Sequence, residues 1–269
     1  MVEMVVSVAL LGILVAGMTI MVAPILNSFN DTQRHLIAEN VSTCIQTYVS
    51  SSMKDATNVV IFADTDYDEL KSSSVVKQEL KALREFCSTQ SSLNKPAYTL
   101  HCISLEYDTT DQRYYVYNKT CKMGTDDEPF DTSKDALAFS ECLYNDLYYT
   151  LSISKALDLD DATGATRLND TAEISISTYS DAACNNLLFG GVGVTEFREI
   201  SRDILLRSGG GSTGLAPFKF EIYKPKDDPT NPGTDVFTNS PEGYSTADAT
   251  DDKRNIYIFY TNYSYDNIK

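Results

Sequence analysis

Glu3 is the residue most out of place in this chain. It is the single charge in an apolar run, MVEMVVSVALLGILVAGMTIMVAPIL, whose other polar side chains are Ser7 and Thr19. An acid in the first turn of a helix meets the helix dipole favourably, by about 0.3–1 kcal/mol. Surrounded by lipid or packed helices, however, an unpaired carboxylate costs several kcal/mol and must find a cation. The nearest suitable cation type is a terminal amine, its own or a neighbour's. The cysteines come second: Cys44, Cys87, Cys102, Cys121, Cys142 and Cys184. No two have the CxxC spacing, and His35 and His101 are the only histidines, so the chain has little with which to build a zinc site. An even cysteine count in an exported domain reads as up to three disulfides, of undetermined pairing. A third group, Asp158, Asp160 and Asp161, is a weak match to an oxygen-rich calcium loop. Ala162 stands where a ligand belongs, so a solvated acidic turn is the better reading. There is no Gly-x-Ser-x-Gly elbow, no HExxH and no dinucleotide fingerprint, and Gly209–Gly214 lacks a phosphate-loop lysine. An enzyme is not expected, and no cofactor is implied.

The element that must carry Glu3 is a helix. The greasy run from Met4 to Leu26 exceeds the roughly 20 residues that span a bilayer. It differs from a secretory signal, which begins with Lys or Arg, because no basic residue precedes Arg34. Gly12 and Ala16, with Ala9, Gly17 and Ala23 nearby, supply the small residues that let helices approach closely. Pro24 removes a backbone hydrogen bond to the carbonyl of Ile20. Beyond Leu26 the pattern turns amphipathic. Phe29, Leu36, Ile37, Val41, Cys44, Ile45, Tyr48 and Val49 fall near 3-and-4 spacing. One helix is therefore expected over residues 1–55, its second half laying a stripe that includes Cys44 on the following domain. Cys44 should then bridge to that domain.

The N-terminal arrangement resembles that of a mature type IV pilin. Chains of that family begin with an aromatic residue and carry a glutamate at the fifth position. A glycine follows nine residues later and runs into Ile-Leu, a spacing kept here by Glu3 and Gly12-Ile13-Leu14. The family's first residue would lie two places before Met1, and its helix proline would fall at Ile20 rather than at Pro24. The resemblance covers about the first 30 residues. It implies a filament subunit in which Glu3 pairs with the N-terminus of the adjacent subunit, and in which the helix loosens between Gly12 and Pro24 on assembly. The implied partners are identical subunits in a helical polymer, the cytoplasmic membrane before assembly, a prepilin peptidase and the pilus assembly machinery. The filament would be extracellular. Two alternatives stand beside it: a minor pilin or pseudopilin with an adhesive or priming head, and a single-span surface binding protein.

The chain has 38 acidic against 22 basic residues, a formal −16, and residues 56–269 carry nearly all of that charge. Such a head is soluble and offers no basic patch for nucleic acid. The expected class is α+β: the long helix packed on a mainly antiparallel sheet with short helices. Strands are expected at Asn58–Phe62, Ala97–Tyr107, Gln112–Cys121, Leu147–Ile153, Glu173–Tyr179, Phe218–Tyr223 and Asn255–Tyr263. Helices are expected at Asp66–Phe86 and Ser133–Leu143, Glu196–Leu206 fits either state, and Pro225–Pro241 reads as a loop. Asn30, Asn40, Asn118, Asn169 and Asn262 each begin an Asn-x-Ser/Thr sequon.

Overall fold

The computed structural model describes residues 2–92, 98–122, 128–144, 146–158, 163, 166–196, 219–227, 235–240, 242–246 and 255–263. The apolar run and the amphipathic segment form one helix, α1 (Val2–Lys54), about 80 Å long at 1.5 Å per residue. Its second half buries Ala38, Val41, Ser42, Ile45, Val49 and Met53, one stripe at helical spacing. The chain then enters β1 (Ala56–Thr65), a central strand buried on both faces.

The single helix expected over Asp66–Phe86 is two, α2 (Tyr67–Ser72) and α3 (Ser74–Ser92). Asp66 caps α2 by accepting from the Glu69 N–H at 2.7 Å. Ser73, with extended backbone, breaks the pair, and its hydroxyl accepts from Val76 N–H at 3.4 Å. The expected hairpin is present as β2 (Tyr98–Asp108) and β3 (Arg113–Lys119). Asp108 organises its loop by accepting the backbone N–H groups of Thr110 and Asp111, at 2.7 and 3.0 Å.

The helix expected at Ser133–Leu143 does not form. Two single 3₁₀ turns, Thr132–Lys134 and Glu141–Leu143, flank a short strand, β4 (Ala136–Leu137), which pairs with β3. The strand ladder, continued by Ala138 N–H to Val116 C=O at 2.8 Å, wins over the local helical spacing. Next come β5 (Tyr148–Leu157), β6 (Arg167–Tyr179) and β7 (Leu187–Glu196). After them lie β8 (Lys219–Asp227), β9 (Asp235–Asn239), β10 (Tyr244–Ser245) and β11 (Asn255–Tyr263). The segment read as a Pro225–Pro241 loop is thus partly the paired ends of β8 and β9, with Pro225 opposite Phe237. Of Glu196–Leu206 only Glu196 lies within the described residues, and Gly209–Gly214 lies outside them.

Seven strands form one sheet in the order β4-β3-β2-β11-β1-β8-β9, antiparallel except where β1 meets β8. Four more form an antiparallel sheet, β10-β5-β6-β7. Alternation along β1 and β11 splits the core in two. Val59, Ile61, Ile256 and Ile258 face the four-stranded sheet and the second half of α1. Val60, Phe62, Tyr257 and Phe259 face the layer with Leu70 of α2 and Leu80 and Leu83 of α3. The chain is therefore α+β: a long helix on antiparallel strands, with two short helices on the far face of the larger sheet.

Candidate assembly segment

The docked half of α1 is held by side chains as well as by burial. Ser42 Oγ donates to Ile176 C=O at 3.3 Å and Gln46 Nε2 to Ile174 C=O at 3.0 Å. His35 Nδ1 lies 2.7 Å from Leu188 C=O, so that nitrogen carries the proton. The helix approaches β7 closely beside Gly191, where an added Cβ would stand 3.7 Å from Ser42 Oγ.

Ahead of His35 the helix leaves the head. Its most apolar stretch, with a mean hydropathy of 2.6, is 0% buried. Ile13 is 70% exposed, Ile20 73% and Ile25 66%. The hydroxyls in this stretch serve themselves: Ser7 donates to Glu3 C=O at 2.8 Å and Thr19 to Val15 C=O at 2.9 Å. Neither therefore opposes burial in an apolar medium. Glu3 stands exposed in the first turn. A Cβ added at Gly12 or Gly17 would meet nothing within 4 Å, so the surface beside them is open. Ala9, Gly12, Ala16 and Ala23 fall within about 60° of one another at 100° per residue, one smooth stripe. The isolated chain carries α1 through Pro24 without a break. By length and composition this helix is able to cross a membrane.

The expected bridge from Cys44 is absent. Cys44 is an exposed thiol, because the buried stripe runs through Val41, Ile45 and Val49 and leaves residue 44 turned outward. Cys142 is likewise an exposed thiol. Cys87 and Cys102 are buried in the layer under α3, and Cys121 packs against it. Burial pushes the Cys87 thiol up to about 11 and the Cys121 thiol up to about 12. Cys184 sits at φ +54°, its Sγ 3.8 Å from Ala182 C=O. Of the acidic turn, Asp160 and Asp161 lie outside the described residues, while Asp158 donates its N–H to Thr166 C=O at 2.9 Å. Among the described residues no group of three His, Cys, Asp or Glu is placed to hold a metal.

Sequence reasoning missed one charged group in the head. Lys119 Nζ, its side chain 7% exposed, lies 2.6 Å from Asp135 Oδ2 and 2.8 Å from Glu106 Oε1. Burial alone would lower this lysine, but its hydrogen bonds to Asp135 and Glu106 outweigh that and raise it. Only the long-range pairing of β2, β3 and β4 brings the three together, so the sequence carries no signal for it.

No protein-family model, curated protein or solved structure matches this chain.

Proposed function

We propose that this chain is a structural subunit, a pilin, that polymerises through the first half of α1 into an extracellular filament. The carrying observation is the two-part helix: one half docked on the head by a buried stripe, the other apolar all round and covered by nothing. A helix with no polar face has to be buried on every side, by lipid before assembly and by neighbouring helices afterwards. The stripe of Ala9, Gly12, Ala16 and Ala23 suits close helix–helix contact. Glu3 then supplies the one charge, paired with the terminal amine of an adjacent subunit, and the acidic heads face solvent. Loss of helical hydrogen bonding between Gly12 and Pro24 belongs to the assembled form, where Gly17 and Pro24 leave the helix weakest.

The test is cryo-microscopy of filaments sheared from cells that express the chain. The expected map shows helices of residues 1–26 at the centre and the two-sheet heads outside. A protein that stays monomeric in detergent and yields no filaments would leave α1 as a simple membrane anchor.

A further inference from the structure

The Lys119 group has the components of a spontaneous side-chain condensation. Lys119 is the last residue of β3, and the β3–β4 register pairs Tyr117 with Leu137 and Asn118 with Ala136, which brings Asp135 alongside Lys119. Nζ is pressed over the rings of Tyr117 and Phe130, 5.1 and 5.9 Å from their centroids. Glu106 reaches the same nitrogen from β2, with Ser104 Oγ donating to its Oε1 at 2.9 Å. One amine thus faces two carboxyl groups, and the second oxygen of Asp135, Oδ1, is buried without a hydrogen-bond partner among the described residues. For a plain ion pair that orphaned oxygen and the surplus carboxylate are both unfavourable. For an acyl transfer they are the electrophile and the proton carrier.

We propose that Lys119 and Asp135 join through an intramolecular amide bond, with Glu106 moving the protons. Glu106 takes a proton from the Lys119 ammonium, and the freed lone pair on Nζ attacks Cγ of Asp135. As the tetrahedral adduct collapses, the C–N bond is kept and one C–O bond breaks. Two of the three ammonium protons leave with that oxygen as water, and the third stays on the amide nitrogen. Glu106 returns to its starting state. Charge balances, because one cation and one anion become a neutral amide and water, and no oxidant or cofactor is required. Hydrogen-bond distances of 2.6 and 2.8 Å supply the proximity on which such a step depends. The bond would close the segment between β3 and β4 and lock Phe130 over Tyr257 and Phe259, against which its ring stacks at 5.6 and 5.4 Å. This inference concerns the head alone and stands whether or not the chain forms filaments.

The test is mass spectrometry of the purified full chain in detergent, reduced and alkylated so that cysteine oxidation does not enter. The expected wild-type mass is lower than that of the sequence by one water. Tryptic digestion should leave the chain uncut after Lys119 and give a branched peptide joining Lys119 to Asp135. Lys119→Arg keeps the charge but cannot form the amide, so it should restore the full mass, as should Glu106→Gln. The wild type decides the matter even where a variant fails to fold. Full mass with normal cleavage after Lys119 in folded wild-type protein would overturn the proposal. So would a loss of water with no branched peptide, or a branched peptide that persists at full yield in Glu106→Gln.

Discussion

Replacing one isoleucine in each half of α1 separates the two roles assigned to it. Ile45 is fully buried between α1 and the head. Truncating it to alanine removes three carbons from a packed site and leaves a cavity, a change that costs about 2–5 kcal/mol. Taking about 3 kcal/mol for a head of this size, Tm should fall by roughly 6–12 °C. Ile13 is 70% exposed and touches no part of the head, so Ile13→Ala should leave the stability of the head within about 0.5 kcal/mol of wild type. The assay is thermal and urea unfolding of the full chain in mild detergent, followed by tyrosine fluorescence. The chain has 17 tyrosines and no tryptophan, and Tyr144 and Tyr149 are buried in the core that Ile45 shares. Equal destabilisation by the two variants would refute the division of the helix. So would an Ile45→Ala protein as stable as wild type.

Other consequences follow from single positions. Glu3→Ala should reach normal membrane levels, because the apolar run is intact, but give few or no filaments as the sole copy. Removing one partner of a buried pair costs about 3–5 kcal/mol, and wild-type piliation would reduce Glu3 to an ordinary helix-start residue. In the folded, reduced protein Cys44 and Cys142 should react with a thiol reagent far faster than Cys87, Cys102 and Cys121, which are buried or packed into the layer under α3. Mapping by alkylation and peptide mass checks the order, and prompt labelling of Cys102 would contradict the packing. Gly243→Ala should destabilise the head by at least about 2 kcal/mol, because its φ is +84° and a Cβ there would stand 2.2 Å from Ile153 C=O. Thermal unfolding reads the loss. Burial, where the ring stacks on Tyr260, holds His101 below the ordinary imidazole range. Its neutral form therefore stabilises the fold above the unfolded pKa, and this contribution is lost as pH falls from about 6.5 through the folded value. His101→Gln should flatten that part of the stability–pH curve; an unchanged slope would show the imidazole to be as free as in the unfolded chain.

What was legible in the sequence was set by local pattern. The apolar run and the 3-and-4 spacing gave α1 almost to its last residue, and alternation gave the β2–β3 hairpin and β11. Where the outcome turned on distant pairing, the local reading failed. A helix is expected over Ser133–Leu143, yet β3 offers Ala136 and Leu137 a ladder, and a strand with two 3₁₀ turns results. The serines at 72–74 hid a break, since Ser73 caps α3 instead of continuing α2. Cys44 was placed on the buried stripe, one residue from Ile45, and a single residue turns a helical position by about 100°. Gly190, Gly191 and Gly193 obscured β7, a strand that α1 approaches closely beside Gly191.

On the proposed function, the same residues suit one chain to two surroundings. Every buried residue of α1 lies at or beyond Ala38, whereas the apolar stretch before Leu26 makes no contact with the head. The head's two cores are therefore complete with that stretch in lipid, and they stay complete if neighbouring helices replace the lipid. Transfer between the two exchanges one apolar medium for another, so hydrophobic burial contributes little net difference. What remains to favour helix–helix contact is close packing along the small-residue stripe and neutralisation of the one charge that lipid leaves uncompensated, Glu3. The net charge of −16, carried almost wholly by the head, opposes crowding of subunits. At physiological ionic strength that repulsion is screened beyond about 8 Å, whereas an ion pair buried among apolar helices is screened far less. On that proposal, a single acid at the start of an apolar helix sets subunit register against an acidic surface that would otherwise keep the heads apart.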